Sequence, residues 1–280
     1  MISRALLVCF LFLGTIASRA AELPPFKPGE SVIQFRTSAT QSRGAELKSR
    51  LHALDDIPPF YLIKEKFRII VPKEYTHKEP WGLFIWVSPG NTANIPKDWE
   101  AVLAKRKLIF IGANNSGNRR NIFDRFRMAV DANHNMRQRF NIDGRRVYVS
   151  GFSGGGRVAS MLAVAYADMF SGTIAWMGVN FYEPLPAGGG SVYNPYFIPD
   201  DEVLAIAKKN CRFVLVTGEK DFNLDNTRST FVNGFQKHGF SNAHYLEIPN
   251  QGHRPPGAEW LKKALDLLEQ PEPETKSGKK

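Results

Sequence analysis

Residues 146–162 read Arg146-Val147-Tyr148-Val149-Ser150-Gly151-Phe152-Ser153-Gly154-Gly155-Gly156-Arg157-Val158-Ala159-Ser160-Met161-Leu162. At the centre, Gly151-Phe152-Ser153-Gly154-Gly155 is a G-x-S-x-G pattern, the signature of a sharp strand-to-helix turn that lifts a serine hydroxyl above the edge of a sheet. The chemistry explains the spacing. Glycines two residues either side of the serine let the incoming strand and the outgoing helix pass close together. The serine then sits over a helix N-terminus, whose free N–H groups favour a developing oxyanion. A chain of this length shows the bare pattern by chance about one time in ten, so the flanks decide. Residues 146–150 form a strand-like run ending at the motif, and residues 156–162 open a helix directly after it. A glycine-rich structural turn would need neither flank.

A serine hydroxyl needs a base to become nucleophilic at neutral pH. Where a strand-to-helix turn carries the serine, the acid and then the histidine follow it in the chain. Three histidines lie downstream: His238, His244 and His253. His238 stands at a helix end before Gly239, and His244 opens a strand. His253 follows the strand-like run 245–248, in the loop Pro249-Asn250-Gln251-Gly252-His253 before the last helix, where a base can reach back over the sheet edge. The acid belongs after the preceding strand. Leu215-Val216-Thr217-Gly218-Glu219-Lys220-Asp221 ends one, and Asp221 is the preferred carboxylate, followed by Asp225 and then Glu219.

Working outward, strand-like and helix-like runs alternate. The predicted strands are residues 61–71, 83–88, 108–112, 146–150, 173–177, 213–217 and 245–248. The predicted helices are 45–54, 96–106, 122–140, 155–170, 201–209, 227–237 and 258–268. The later strands are short and mostly apolar, as strands covered on both faces are. In the helix 122–140, Ile122, Phe126, Ala129 and Val130 fall on one face, with polar residues opposite. Alternation of this kind implies an α/β fold: a mostly parallel sheet with helices on both faces, and functional loops at the carboxyl ends of the strands. Residues 183–199, with Gly188-Gly189-Gly190 and several prolines, are too long for a simple turn and read as a lid or insertion.

An oxyanion hole needs a second N–H beside that of Gly154, supplied from the turn after an early strand. Leu83-Phe84-Ile85-Trp86-Val87-Ser88 ends at Pro89-Gly90-Asn91. Pro89 has no N–H, so Gly90 or Asn91 is the candidate donor. A second polar loop, Gly112-Ala113-Asn114-Asn115-Ser116-Gly117-Asn118, follows the next strand. Its Asn114 and Asn115 are candidate substrate-binding residues for a polar group, or turn residues. No metal site is expected. The calcium-like run beginning at Asp221 has Asn226 where glycine is required and Val232 where glutamate is required, and no His or Cys spacing suits zinc. No nucleotide-binding loop is present, and no cofactor is expected.

The ends of the chain set its compartment. Arg4, the apolar run 5–16 and Ser18-Arg19-Ala20 read as a signal peptide over residues 1–20, cleaved after Ala20. The apolar run is shorter than the roughly 20 residues a spanning helix needs. A secreted or periplasmic protein is expected, with no stable membrane insertion after cleavage. Residues 21–59, rich in proline and polar residues, read as a lead-in that wraps the domain. Residues 60–270 form the catalytic domain, and the polar stretch 271–280 reads as a flexible tail. Cleavage removes Arg4 and Arg19, taking the formal net charge from +10 to +8. The basic residues are scattered, with no stripe of interleaved aromatics, so no nucleic-acid partner is expected. Cleavage also removes Cys9 and leaves Cys211 alone, expected as a buried small hydrophobe. Oligomeric state is not legible in the sequence.

Residues 141–156, beginning Asn141-Ile142-Asp143-Gly144-Arg145-Arg146, together with Gly218-Glu219-Lys220-Asp221 and Gly252-His253, make the chain resemble a known group. These are the secreted esterases of the polyhydroxybutyrate depolymerase and feruloyl esterase kind, within the α/β-hydrolase superfamily. The resemblance covers most of residues 60–269. It implies the α/β-hydrolase fold and a Ser-His-Asp triad at Ser153, His253 and Asp221. It also implies hydrolysis, without a cofactor, of a small-molecule or polymeric carboxylic ester. The chain departs from the pattern at Pro89-Gly90, where a His-Gly pair is usual, and it lacks the cysteine pairs of many secreted members. Two rivals belong to other classes: a serine peptidase of the same fold, and a non-catalytic binding protein on this scaffold.

Overall fold

Every position of Trp81-Gly82-Leu83-Phe84-Ile85-Trp86-Val87 is buried. A strand with no polar face to turn to water must be covered on both sides. A computed structural model describes residues 25–270. The signal peptide expected at 1–20 and the tail expected at 271–280 lie outside the described residues. In chain order the elements are β1 (Gly29–Ile33), α1 (Gly44–Arg50), β2 (Phe67–Val71), β3 (Trp81–Val87), α2 (Lys97–Lys105), β4 (Leu108–Ala113), α3 (Ile122–Arg137), β5 (Ile142–Phe152) and α4 (Gly154–Ala165). There follow β6 (Gly172–Trp176), β7 (Leu185–Gly188), β8 (Ser191–Tyr193), α5 (Asp201–Asn210), β9 (Arg212–Gly218), α6 (Leu224–Ser229), β10 (Ala243–Ile248) and α7 (Ala258–Leu268).

Among the described residues eight strands make one sheet in the order β1-β2-β4-β3-β5-β6-β9-β10. The pairs from β4 through β3, β5, β6 and β9 to β10 are parallel, while β1 and β2 run antiparallel at one edge. The two-residue period of each strand divides its side chains between two cores. Leu83, Ile85, Val147, Val149 and Leu215 join the core shared with α3 and α4. Phe84, Trp86, Tyr148, Val214 and Val216 join the core that α2 and α7 cover through Trp99, Leu103, Leu261 and Leu265. Cys211 is buried, and burial pushes its thiol up to about 12. No helix among the described residues is long and apolar enough to cross a membrane.

The structure departs from the sequence reading where tertiary partners override local pattern. The strand expected at 61–71 begins only at Phe67. Leu62–Lys64 is a 3-10 turn, and the buried Glu65 after it pairs with Arg120 at 2.7 Å. The edge strand β1 was not legible, because it is five residues long and alternates only between half-buried and exposed. The helix expected at 227–237 starts at Leu224 and continues as a π-helix over Thr230–Gln236. Residues 183–199 contain the β7–β8 hairpin, whose Gly188-Gly189-Gly190 turn has positive φ at all three glycines.

The polar face expected on α3 is not solvated. Asp131, Asn133 and Asn135 are buried: the segment before β2 lies over Asp131 and Asn135, and Asn133 donates to the Met169 carbonyl at 3.0 Å. Asp131 Oδ1 accepts from the Ala39 N–H and the Ser42 hydroxyl, both at 2.7 Å. Asn135 donates to the Thr37 carbonyl at 2.7 Å, and Arg127 donates to the carbonyls of Ser42 and Pro58. Hydrogen bonds of this kind let a polar helix face be buried without orphaning its groups. The buried side-chain atoms of α3 left without a hydrogen bond among the described residues are Asp124 Oδ1, Arg125 Nε, Asp131 Oδ2 and Asn133 Oδ1. Burial pushes the Asp131 acid up to about 6, against the Ser42 and Ala39 hydrogen bonds that favour its charged form.

A carboxyl raised in the folded state stabilises the fold fully below its unfolded pKa, and that contribution is lost as pH rises through the folded value. The wild type should therefore lose stability, relative to Asp131→Asn, as pH rises from about 4 to 6, by at most about 3 kcal/mol. Urea unfolding of both proteins across this range checks it. A stability difference that does not change with pH would mean that burial does not raise the Asp131 carboxyl above its unfolded value.

Candidate active site

Ser153 lies between β5 and α4 with φ 54° and ψ −122°. A non-glycine residue pays about 1–3 kcal/mol for such a conformation, so the surroundings must enforce it. The Ser153 N–H donates to the Trp176 carbonyl at 2.8 Å, fixing the turn to the neighbouring strand. Behind it the backbone of α4 presses on β3: a Cβ on Gly155 would overlap the Val87 carbonyl oxygen. A Cβ on Gly151 would overlap Gly155 in the same way. The glycine spacing is thus a packing requirement between one strand end and one helix start.

His253 Nε2 lies 2.9 Å from Ser153 Oγ, and His253 Nδ1 lies 2.7 Å from Asp221 Oδ1. The Asp221 side chain is wholly buried, while that of His253 is 21% exposed. The carboxylate also accepts from the Thr217 hydroxyl at 3.0 Å and the Asn223 N–H at 3.2 Å. These bonds offset part of the desolvation that an isolated carboxylate would suffer. The His253 ring packs between Phe152 and Phe222, with centroids 4.8 and 4.0 Å away. The loops bearing acid and base are tied by backbone bonds from Glu219 N to Ile248 O and from Lys220 N to Gln251 O, both 2.9 Å.

The other candidate acids and bases stand apart. Asp225 is exposed on α6. The Glu219 carboxylate accepts from the Asn250 N–H at 2.7 Å, shaping the loop that leads to His253. His238 lies 3.3 Å from Glu183, and His244 sits on β10, where burial lowers its pKa.

Gly154 opens α4, so its N–H has no acceptor four residues back. Gly90 donates its N–H to the Ser88 hydroxyl at 3.1 Å, and the Asn91 carbonyl accepts from Asn115 at 2.9 Å. Asn114 and Asn115 have turn roles. Asn114 Oδ1 accepts from the Ala93 N–H at 3.0 Å, and Asn115 adopts φ 56°. Neither lines the cleft of about 780 Å³ that opens beside Gly154. The asparagine of this loop that reaches the serine's helix is Asn118, whose amide stands where a Gly154 Cβ would be. Composition pointed to this loop, but only its folding decides which asparagine faces the cleft. Arg157, one helical turn after Ser153, also lines the cleft. It donates to the Val179 carbonyl, Asn180 Oδ1 and Asn223 Oδ1 at 2.9–3.0 Å, and so reaches the residue that hydrogen-bonds Asp221. Among the described residues no group of three or more His, Cys, Asp or Glu side chains is placed to hold a metal ion.

Neither a family model nor a curated protein matches the chain. Solved structures do resemble it. An S-formylglutathione hydrolase from Staphylococcus aureus superposes with a TM-score of 0.56 at 13% identity, over 84% of this chain and 96% of that one. A ferulic acid esterase gives a TM-score of 0.53 at 14% identity, over 86% of this chain and 97% of that one. A protein described as a dipeptidyl aminopeptidase IV from Bacteroides ovatus gives 0.53 at 14% identity. There the match covers 86% of this chain but only 35% of the larger one. With its mostly parallel sheet and these neighbours, the chain has the α/β-hydrolase fold.

Because Asp221 alone among the candidate acids touches His253, its neutralisation should weaken the serine most. Asp221→Asn should slow reaction of Ser153 with a fluorophosphonate by roughly 10⁴-fold, as loss of the orienting acid does in other triads. Asp225→Asn should change it less than about twofold, as an exposed carboxylate outside the relay. Stopped-time labelling of the two variants checks this. Reversed effects would move the acid to Asp225.

Proposed function

We propose that this protein is a secreted carboxylic ester hydrolase acting through Ser153, His253 and Asp221. The observation that carries this reading is the continuous hydrogen-bonded line from a buried carboxylate, through an imidazole, to a serine held at a helix N-terminus. In the proposed reaction His253 takes the hydroxyl proton as Ser153 attacks the ester carbonyl, and Asp221 holds the imidazole with Nε2 free to accept it. The Gly154 N–H and one from Gly90 or Asn91 bind the tetrahedral oxyanion. The Gly90 N–H becomes available if the Ser88 hydroxyl rotates away. His253 then returns the proton to the leaving alcohol, and water, activated by the same imidazole, releases the acid.

An apolar rim favours an ester with a hydrocarbon arm. Leu54, Ile122, Tyr196 and Ile198 line the cleft with exposed side chains, and Phe222 is 77% exposed beside His253. Exposed apolar side chains grouped around one opening mark a binding surface more often than chance scatter. A small ester and the end of a polymer both suit this opening. The stretches 141–156, 218–221 and 252–253 favour the polyhydroxybutyrate depolymerase and feruloyl esterase kind, and residues 1–20 favour export.

Purified protein should hydrolyse 4-nitrophenyl butyrate and react covalently with a fluorophosphonate at Ser153. Ser153→Ala should abolish both while leaving the circular dichroism spectrum unchanged. Modification mapped by mass spectrometry to a different serine would overturn the assignment. Dialysis against EDTA should leave the rate unaltered. Activity lost to EDTA and restored by one metal, with the fold intact, would point to a bound hydroxide in place of Ser153.

A further inference from the structure

Arg125 is placed where a cation is disfavoured on three counts. It is 5% exposed. It lies near the start of α3, after the Asn121 cap, toward the positive end of the helix. No carboxylate among the described residues pairs with it. Its guanidinium makes one hydrogen bond there, from Nη2 to the Ser88 carbonyl at 3.1 Å, and its buried Nε has no partner. Burial alone, with no compensating charge, lowers it to about 10. Other arginines of this chain show the usual remedy: Arg50 pairs with Asp168, and Arg146 with Glu269. An uncompensated buried charge is among the most destabilising features a fold can carry.

The cleft beside Gly154 supplies the context. Arg125 and Arg157 both line it, and Arg157 is likewise bound only by neutral oxygens. The first turns of α3 and α4 meet there, with Asn121, Ile122 and Gly154 in its wall. Two helix N-termini and two arginines without an ion pair among the described residues make one concavity electropositive, although the Asp221 charge acts on Arg157 from a distance. Asp55 is the one carboxylate residue lining it, and it is exposed, where water screens its charge.

The orientation of the triad says which part of a substrate enters. On the proposed esterase reading, His253 must hand its proton to the leaving alcohol oxygen, so the alcohol arm lies on the histidine's side. The cleft is lined by Gly154 and Arg157 but by neither His253 nor Phe222, so it receives the acyl arm. We infer that the preferred substrates are esters whose acyl arm ends in a carboxylate, held by Arg125 at the back of the cleft with Arg157 beside it. The chain would thus cleave half-esters of dicarboxylic acids, the methylene segment lying along the apolar wall. This inference rests on the esterase reading.

The test compares acyl arms of equal length with and without the terminal charge. These are 4-nitrophenyl hydrogen glutarate and adipate against 4-nitrophenyl pentanoate and hexanoate, after subtraction of spontaneous hydrolysis. The wild type should favour at least one anionic ester over its neutral counterpart by about 10- to 100-fold in kcat/KM, the range expected for hydrogen bonds to a charged group. The preference should shrink as salt is raised. Arg125→Gln should reduce the ratio of anionic to neutral kcat/KM by at least about tenfold. A merely structural role would lower both esters together and leave the ratio unmoved, which would overturn the proposal. So would a wild type that prefers the neutral esters throughout, a result that needs no variant to fold. A second arm needs no catalysis. Millimolar adipate or glutarate should raise the Tm of Ser153→Ala above that in chloride of equal ionic strength, and should fail to do so when Arg125→Gln is added. Ester hydrolysis with no such stabilisation and no anionic preference defeats this inference alone. Stabilisation by the diacid with no hydrolysis of any ester defeats the esterase reading and leaves the anion site standing.

Discussion

The backbone of Ser153 is held in a conformation that L-residues avoid, and the rest of the site depends on that strain being enforced. Enforcement is steric and distributed. The strand end at Val87 presses on the helix start at Gly155, and the Trp176 carbonyl fixes the Ser153 amide. If α4 drew back from β3 to admit even a methyl group, the turn could relax. The hydroxyl would then leave the position 2.9 Å from His253. The parallel sheet matters here because it sets β3, β5 and β6 side by side in fixed register. That places Val87, Ser153 and Trp176 around one point although they lie far apart in sequence.

The histidine is constrained from another side. Its loop and that of Asp221 follow adjacent parallel strands, and two backbone hydrogen bonds tie them into one unit. Glu219 contributes to this scaffold by accepting from Asn250. It shapes the site without touching His253. The Asn223 amide group links the same unit to Arg157 on the serine's helix. Ser153, His253 and Asp221 are therefore held by one contiguous polar network as well as by the sheet, and the distances between them are a property of the whole carboxyl edge.

Electrostatics divides the molecule into regions with different logic. On the surface and at the lower edge of the sheet, arginines are paired with carboxylates. Under the lead-in, a buried aspartate is met by hydrogen bonds from backbone and hydroxyl groups. Around the cleft, two arginines stand without ion pairs among the described residues. That asymmetry is local: on α3 itself Arg127 lies 3.7 Å from Asp124. It is the kind of local cost that proteins place at sites where a ligand completes the charge balance.

The sequence by itself determined what short-range chemistry can encode. The glycine spacing around Ser153, the strand before it and the helix after it specify an elbow. The alternation of apolar runs specifies a layered α/β sheet, and α7 runs over Ala258–Leu268, the residues its periodicity predicts. Position in the chain, after successive strand ends, singled out Asp221 and His253 as candidates. The tertiary structure decided what depends on distant neighbours. It buried the polar face of α3, because residues 37–42 and Pro58 supply the partners that periodicity cannot see. It turned Asn114 and Asn115 to loop construction and brought Asn118 to the serine's helix, since backbone dihedrals within one polar loop fix where each amide points. It also left Arg125 without a counter-ion among the described residues. In sequence Arg125 follows an aspartate and looks like any solvated helix cation; only burial against Ser88, with no ion pair among the described residues, makes its charge consequential.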